Sequence, residues 1–186
     1  MFRKLSKNGL QLIKKLEGCE LIAYKDSGGV YTIGYGHTKN VKRGMTITQK
    51  QAEVFLKEDC NKFVDHVNKY MNTYNFNQNQ FDALVSFAFN IGSINELTKN
   101  GSRSIKEISN KILLYNKCNG KFVQGLLNRR KAEKQLFDKP VKTTSQIAKE
   151  VIKGLWGNGN SRKQKLLEKG YDYKVVQEEV NKLLKR

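Results

Sequence analysis

Proline, cysteine and tryptophan are scarce in this chain, whose 186 residues include one proline, three cysteines and one tryptophan. The cysteines, Cys19, Cys60 and Cys118, are odd in number and far apart. That pattern argues against a disulfide framework and against a zinc site of regular ligand spacing. We therefore expect three reduced thiols, no metal and no other cofactor.

Long apolar runs are missing as well. No uninterrupted apolar stretch approaches the roughly 18 residues that a membrane span requires, so membrane insertion is not expected. The N-terminal residues MFRKLSKNGLQLIKKLEG contain neither the apolar segment nor the cleavage site of an export signal. The sequence predicts a chain made in the cytosol with no export signal of its own.

Acidic residues are few relative to basic ones. The chain has 35 Lys and Arg against 17 Asp and Glu, a net charge of +18. Residues 1–140 carry 24 basic and 12 acidic residues, and residues 141–186 carry 11 and 5, so both parts are basic. This charge favours a polyanionic partner, and nucleic acid, an acidic membrane surface and an anionic cell wall all fit it. With 38% hydrophobic residues, the chain is not a disordered tail.

The only proline, Pro140, lies in the polar stretch DKPVKTTSQ, which has no hydrophobic periodicity and separates two patterned regions. We place a first domain at residues 1–138, a linker at 139–144 and a second domain at 145–186. The first region is predicted to be α+β and mostly helical, with one small β-hairpin sheet. The second, with apolar residues at helical spacing and two glycine-containing breaks, is predicted to be a small three-helix bundle.

Capping residues and apolar periodicity predict the individual elements. A short helix is expected from Ser6 to Gly18 and a hairpin between Tyr24 and Thr38, turning at Gly28 and Gly29. The further helices are expected over residues 49–71, 77–92, 104–115 and 126–137.

Three polar residues near the start of the chain form a pattern with chemical meaning. Glu17 is on the last turn of the first predicted helix, and Asp26 and Thr32 flank the glycine turn of the hairpin. A helix end and an adjoining hairpin can hold two carboxyl groups on either side of a substrate, as glycoside hydrolysis requires. A single Glu or Asp is most often a solvated surface charge, so the combination of the three residues carries the hypothesis.

The motifs LEG, AYKDSGGVYTIGYGHT, QFDALVSFAFNIGS and GLLNRRKAEKQLF follow one another along residues 6–138. This succession resembles the phage-type lysozymes of glycoside hydrolase family 24, which cut peptidoglycan. The resemblance implies an α+β, lysozyme-like fold with an N-terminal helix, a small sheet and a helical lobe. Glu17, Asp26 and Thr32 fall at the positions of that family's catalytic residues, with its spacing.

The resemblance also implies a role for each of the three residues. Glu17 would be the general acid that protonates the glycosidic oxygen between N-acetylmuramic acid and N-acetylglucosamine, and should be partly desolvated. Asp26 would face the developing oxocarbenium ion and stay ionised in a more polar setting. Thr32 would help to position the attacking water, and the resemblance favours inversion at the anomeric carbon.

Further residues of the first region have weaker assignments. By resemblance, Phe89, Asn90 and Asn128 would contact the sugar, although positions at a helix end or in packing explain them equally well. His37 is interpreted as a structural hydrogen-bonding residue rather than a proton shuttle, and His66 as an ordinary surface or boundary residue. Arg129, Arg130 and Glu133 are interpreted as an ion-pair network rather than as ligands.

The tail, with WGNG, Arg162 and GYDY, resembles a single copy of the "CW seven" cell-wall-binding repeat. The resemblance implies binding to the disaccharide-peptide unit of peptidoglycan through Trp156, Arg162, Tyr171 and Asp172. Packing of Trp156 and Tyr171 in a very small core is the alternative explanation.

Together, the two resemblances predict a phage endolysin: a muramidase with a wall-binding module that lyses a host, expected to be Gram-positive. Its expected partners are peptidoglycan and anionic wall polymers, with no nucleic acid, and it is expected to be a monomer. It would stay in the host cytoplasm until a holin releases it to the wall. A basic nucleic-acid-binding protein and a non-catalytic cationic wall-binding protein are the alternatives, and both leave the Glu17, Asp26 and Thr32 pattern unexplained.

Overall fold

The computed structural model of the protein describes residues 2–26 and 28–185. The chain divides into two compact units, Met1–Asp138 and Lys139–Arg186. Each unit has its own cluster of buried hydrophobic residues. The fold class is the predicted one, mostly helical with a small antiparallel sheet.

The first helix, α1 (Lys7–Glu17), begins and ends at the predicted residues. Ser6 is its N-cap, and the Ser6 hydroxyl accepts a hydrogen bond from the Gly9 N–H at 3.2 Å. Gly18 is its C-cap, with a φ of 71° that favours glycine. This reversal places Glu17 at the helix end and starts the chain into the hairpin that follows.

The hairpin consists of β1 (Glu20–Lys25) and β2 (Tyr31–Gly34), paired antiparallel with Tyr24 opposite Thr32. The register is irregular between Glu20 and Tyr24, and the first strand begins earlier than the sequence predicts. Gly29, with a φ of 79°, lies in the turn between the strands.

The rest of the first unit is a helical lobe. Its helices are α2 (Gln49–Asn68), α3 (Met71–Tyr74), α4 (Gln78–Ile91), α5 (Asn95–Thr98), α6 (Ile105–Ile112) and α7 (Gln124–Asp138). A two-residue hairpin, β3 (Lys117–Cys118) and β4 (Lys121–Phe122), precedes α7. Thr48, Asn77 and Ser104 form capping boxes at the starts of α2, α4 and α6, as their sequences predict.

Helix α4 is the centre of this lobe. Every residue from Phe81 to Ala88 is buried, and α1, α2 and α7 all pack against α4. A helix that is buried on all sides must satisfy its polar side chains internally. Two of them, Asp82 and Ser86, therefore form the hydrogen bonds that connect α4 to neighbouring helices.

The second unit contains α8 (Thr144–Ile152), α9 (Gly159–Glu168) and α10 (Tyr173–Leu184), the predicted three helices. Its small core includes Ile147, Val151, Leu166, Val176 and Val180. Thr143 caps α8 with a capping box, so this helix begins at Thr144, within the stretch predicted to be linker.

Candidate active site

Glu17 is held at the end of α1 by an arginine from α7. Its Oε1 atom accepts a hydrogen bond from Nη1 of Arg129 at 2.7 Å. The Glu17 side chain is 21% exposed and the Arg129 side chain 8%. Glu17 is therefore partly desolvated, as expected of an acid that delivers a proton, and its position is fixed by a charged hydrogen bond.

Arg129 also contacts a second carboxylate, Glu133, which lies one turn further along α7. Its Nε donates to Glu133 Oε1 at 3.1 Å, and Nη2 donates to the backbone oxygen of Ser86 on α4 at 3.3 Å. The Ser86 hydroxyl donates to the same Glu133 oxygen at 2.8 Å. One guanidinium thus joins α1, α4 and α7 around two carboxylates.

Arg130 completes this buried cluster. Its Nε lies 2.7 Å from Glu133 Oε2, and its Nη2 donates to the side-chain oxygen of Asn90 at 3.0 Å. Burial raises the pKa of the Glu133 carboxyl, and the guanidiniums of Arg130 and Arg129 oppose that rise. The predicted ion-pair network is present, but no local pattern indicates that Arg129 reaches Glu17.

Asp26 lies in the turn directly after β1 and is exposed. Its Oδ1 accepts hydrogen bonds from the backbone N–H groups of Gly28 and Val30, both at 2.9 Å. The Asp26 N–H in turn donates to the Val30 carbonyl at 3.0 Å. The turn therefore fixes the carboxylate through one oxygen while the side chain stays in a polar, solvated setting.

Thr32 lies on β2 and is 4% exposed. Its hydroxyl donates to the carbonyl oxygen of Val30 at 3.2 Å, the same oxygen that accepts the Asp26 N–H. Thr32 and Asp26 are thereby connected through one residue of the turn, Val30.

The three residues assigned to sugar contacts separate into two groups. Asn90 and Asn128 line an open groove of about 560 Å³ together with Leu16 and Arg129, so the groove adjoins the partner of Glu17. Phe89 instead packs edge-on against Phe63, with ring centroids 5.4 Å apart, and belongs to the border of the core.

The histidines have structural contacts. His37 Nδ1 lies 2.8 Å from Asp59 Oδ2, and its ring stacks on Phe55. His66 Nε2 accepts a hydrogen bond from the backbone N–H of Ile94 at 3.1 Å, which ties α2 to the segment before α5. Burial lowers the pKa of His66, and the nearby Lys69 lowers it further.

In the second unit, the four residues assigned to wall binding all have contacts within the unit. Trp156 donates through Nε1 to Glu150 Oε2 at 3.1 Å and meets Tyr171 edge-on. Arg162 donates to the Gly157 carbonyl at 2.8 Å and to Asn158, and so holds the WGNG loop. Asp172 is the N-cap of α10.

Trp156 also borders an open groove of about 340 Å³. Lys142, Glu150, Leu155, Lys165, Glu168 and Lys169 form the rest of its lining. Arg162, Tyr171 and Asp172 lie outside this lining, so of the four predicted residues Trp156 is the one placed to meet a ligand there.

Within residues 2–26 and 28–185, no three His, Cys, Asp or Glu side chains are grouped so that they could hold a metal ion. None of the described helices combines the length and apolarity needed to cross a bilayer. All three cysteines in the described structure are free, and burial raises the pKa of the Cys60 thiol to about 12.

The sequence of residues 14–133 matches the family model described as phage lysozyme, and residues 145–184 match that of the CW_7 repeat. The endolysin of Lactococcus phage c2 is 43% identical over 145 residues, an alignment that covers 76% of this chain and 63% of that protein. The endolysin of Bacillus phage PZA is also 43% identical, with 73% of this chain and 55% of that protein covered. The chain therefore spans less than two thirds of the length of these curated relatives.

A solved structure has the same fold as the first unit. The endolysin from Escherichia coli O157:H7 phage FAHEc1 superposes with a TM-score of 0.64 at 39% identity, over 76% of this chain and 97% of that one.

Proposed function

This chain belongs to the phage lysozyme family, and from that membership we propose that it is an endolysin that hydrolyses the β-1,4 bond between N-acetylmuramic acid and N-acetylglucosamine in peptidoglycan. The observation that carries the proposal is the contrast between two carboxylates. Glu17 is partly desolvated and bound to a buried arginine, whereas Asp26 is exposed and held by backbone N–H groups. In glycosidases, such a difference in environment determines which carboxyl group acts as the acid and which acts as the base.

In this mechanism Glu17 gives its proton to the glycosidic oxygen as the bond from that oxygen to the anomeric carbon breaks. The Asp26 carboxylate faces the positive charge that develops on the sugar and takes a proton from the attacking water. Thr32 keeps the Val30 turn in place and helps to position that water. The water attacks opposite to the leaving group, so the configuration at the anomeric carbon inverts.

Asn90 and Asn128 are proposed to contact the sugar, since both line the groove beside Arg129. Their amide groups offer the donors and acceptors that sugar hydroxyls need. Phe89 is proposed to support this side of the groove through its packing against Phe63 rather than to contact the sugar directly.

Within the second unit, residues 145–186 are proposed to be a wall-binding module, which the segment 139–144 joins to the catalytic domain, residues 1–138. The match of residues 145–184 to the CW_7 repeat supports it, and so does the excess of basic residues, since wall polymers are anionic. Trp156 is its proposed sugar-contacting residue, whereas Arg162, Tyr171 and Asp172 shape the loops around it.

We further propose that the chain acts as a monomer and reaches the wall after a holin or similar lesion opens the host membrane. Before that event it would remain in the host cytoplasm.

The test is to incubate the protein with purified cell walls and measure new reducing ends and new free amines separately. A muramidase produces reducing ends without amines, whereas an amidase or peptidase produces amines. Loss of turbidity with neither product would indicate a cationic wall-binding protein without catalysis and would overturn the proposal.

A further inference from the structure

Arg129 is shared between two carboxylates, and only one of them has a role in the proposed chemistry. Its Nη1 contacts Glu17 at 2.7 Å, and its Nε contacts Glu133 at 3.1 Å. Glu133 is completely buried. A buried carboxylate is costly, and the mechanism proposed above gives it no role.

The contacts of Glu133 determine how Arg129 is held. Glu133 accepts from Arg129, from Arg130 and from the Ser86 hydroxyl of α4. The Arg129 guanidinium is planar, so fixing its Nε edge on Glu133 also fixes the direction in which Nη1 points. Glu133 therefore positions Glu17 indirectly, through Arg129.

The charges of this cluster also matter to an acid that must keep its proton. Two buried guanidiniums near Glu17 would favour its ionised form if they were left uncompensated. Glu133 supplies a negative charge in contact with both of them. Arg129 thus divides its charge between two carboxylates, and Glu17 experiences only part of it.

The other charged or titratable groups of α1 and α2 in this region are neutral, paired with partners of their own, or exposed to solvent. On α1, Lys14 binds Glu53 of α2 at 2.6 Å, and Lys15 is exposed. On α2, Cys60 has the raised thiol pKa given above, and Asp59 contacts His37.

Further polar groups of this region lie on α4, α7 and the hairpin. Asn90 and Ser86 of α4 are uncharged, and Asp26 in the hairpin turn is bound by backbone N–H groups. The charge balance around Glu17 is therefore set by three residues of α7, and one substitution among them can change it: Arg129, Arg130 and Glu133.

We propose that Glu133 is a positioning residue for Glu17: it holds Arg129 against the acid and offsets part of the arginine's charge. This inference rests on the proposed function, because it presumes that Glu17 is the general acid.

The experiment measures kcat/KM as a function of pH on a soluble, neutral glycan fragment for the full chain and its variants. In E133Q the alkaline limb of the profile should move to lower pH by about one unit, since one carboxylate no longer offsets the two arginines. E133D, which retains the charge, should restore most of the profile. The matched control is D138N, which removes a carboxylate from the same helix, where Asp138 binds Lys134 and Ser109; its profile should not move.

A merely structural role for Glu133 would lower the amplitude or the melting temperature without moving the alkaline limb. An unmoved limb in folded E133Q would therefore overturn the proposal. A wild-type chain that produces no reducing ends would instead overturn the proposed function, so the two failures are distinguishable.

A second comparison keeps the inference testable if E133Q does not fold. The double variant R129Q/E133Q removes one cation together with the anion, and is compared with R129Q alone. With Arg129 absent, Glu133 still offsets Arg130, so the alkaline limb of the double variant should lie below that of R129Q by less than the roughly one unit expected for E133Q in the wild-type background. A difference of about one unit or more would mean that the effect of Glu133 reaches Glu17 without Arg129, against the proposal.

Discussion

At the scale of single residues, the contact between Glu17 and Arg129 makes Glu17→Gln an informative substitution. The glutamine oxygen can still accept from Arg129 Nη1, but an amide has no proton to deliver to the glycosidic oxygen. We expect wall hydrolysis to fall by about 100-fold or more and the free energy of unfolding to change by no more than about 2 kcal/mol. Reducing-end release and a denaturant titration measure the two effects.

The matched control for Glu17→Gln is Glu20→Gln, a nearby exposed carboxylate on β1. It removes the same charge and should leave hydrolysis unchanged. Substantial turnover by the Glu17 variant would exclude this residue as the acid.

Asp26→Asn separates the charge of the turn from its shape. The asparagine oxygen can accept the same Gly28 and Val30 N–H groups, so the turn should persist while the negative charge is lost. We expect kcat/KM to fall by about 100-fold or more. Thr32→Ala should lose less, because it removes one hydrogen bond to Val30, and Thr32→Ser should retain most activity. An Asp26→Asn enzyme close to wild type would rule out the two-carboxylate mechanism.

His66 predicts a pH dependence of stability. To accept the Ile94 N–H, its Nε2 must be unprotonated, and burial, with Lys69, lowers its pKa in the folded protein below the 6.5 of an ordinary histidine. As pH falls through that ordinary value, the unfolded chain binds a proton that the folded chain does not, so the free energy of unfolding decreases. The full contribution returns above the ordinary value.

This dependence is measured by denaturant titrations between about pH 7.5 and 5.5 on the wild type and on His66→Gln, whose side-chain oxygen can accept the same hydrogen bond. The wild type should lose more stability than the variant over this range. Parallel losses in the two proteins would show that His66 does not contribute.

At the scale of elements, the packing of α1 on α4 depends on a glycine. A Cβ atom at Gly9 would lie 2.7 Å from Cγ of Asp82 and 2.6 Å from Cδ1 of Leu5. Asp82 cannot move aside easily, because it is buried and accepts the Ser6 N–H at 3.0 Å. Gly9→Ala should therefore destabilise the protein by about 1–3 kcal/mol through overpacking, which outweighs the roughly 1 kcal/mol that alanine gains in a helix.

Gly125→Ala on α7 is the control for this substitution, since a Cβ there meets no atom within 4 Å. It should leave the free energy of unfolding unchanged or raise it by up to about 1 kcal/mol. If both variants had the same stability, the close approach of α1 to α4 would not limit residue 9.

The elements that local sequence could predict are those that local contacts define. Ser6, Thr48, Asn77 and Ser104 begin their helices as predicted, because a capping hydrogen bond spans only three residues. Helix α2 was predicted to run to residue 71 but ends at Asn68, whose side chain pairs with the backbone of Arg3, 65 residues away. A contact so distant in sequence leaves no local signal, and α5, β3 and β4 are too short to have periodicity.

The candidate site likewise contains residues that local sequence could predict and contacts that it could not. Glu17, Asp26 and Thr32 lie close together in the chain, so their spacing and their resemblance to a family could be recognised. The contact of Arg129 with Glu17 joins residues 112 apart and becomes visible only when α1 and α7 pack. Asn90 and Asn128 share a groove for the same reason.

At the scale of the whole molecule, the two units have separate cores, which predicts that they can be separated. A chain ending at Lys139 should fold and cut a soluble glycan fragment at about the wild-type rate. It should act poorly on intact walls, because a tethered binding module raises the local concentration of the enzyme at the surface. Sedimentation with purified walls measures the binding, and reducing ends measure the cleavage of each substrate. Equal wall binding by the shortened and full chains would rule out a wall-binding role for the second unit.

The single tryptophan gives the intact protein a built-in optical probe. Trp156 lies in the second unit, against Glu150 and the edge of Tyr171, so its fluorescence emission reports on residues 139–186 alone. Far-ultraviolet circular dichroism, in contrast, sums the helices of both units. If the units unfold separately, the two signals recorded in one titration have different midpoints, so their independence can be measured without any label or cut in the chain.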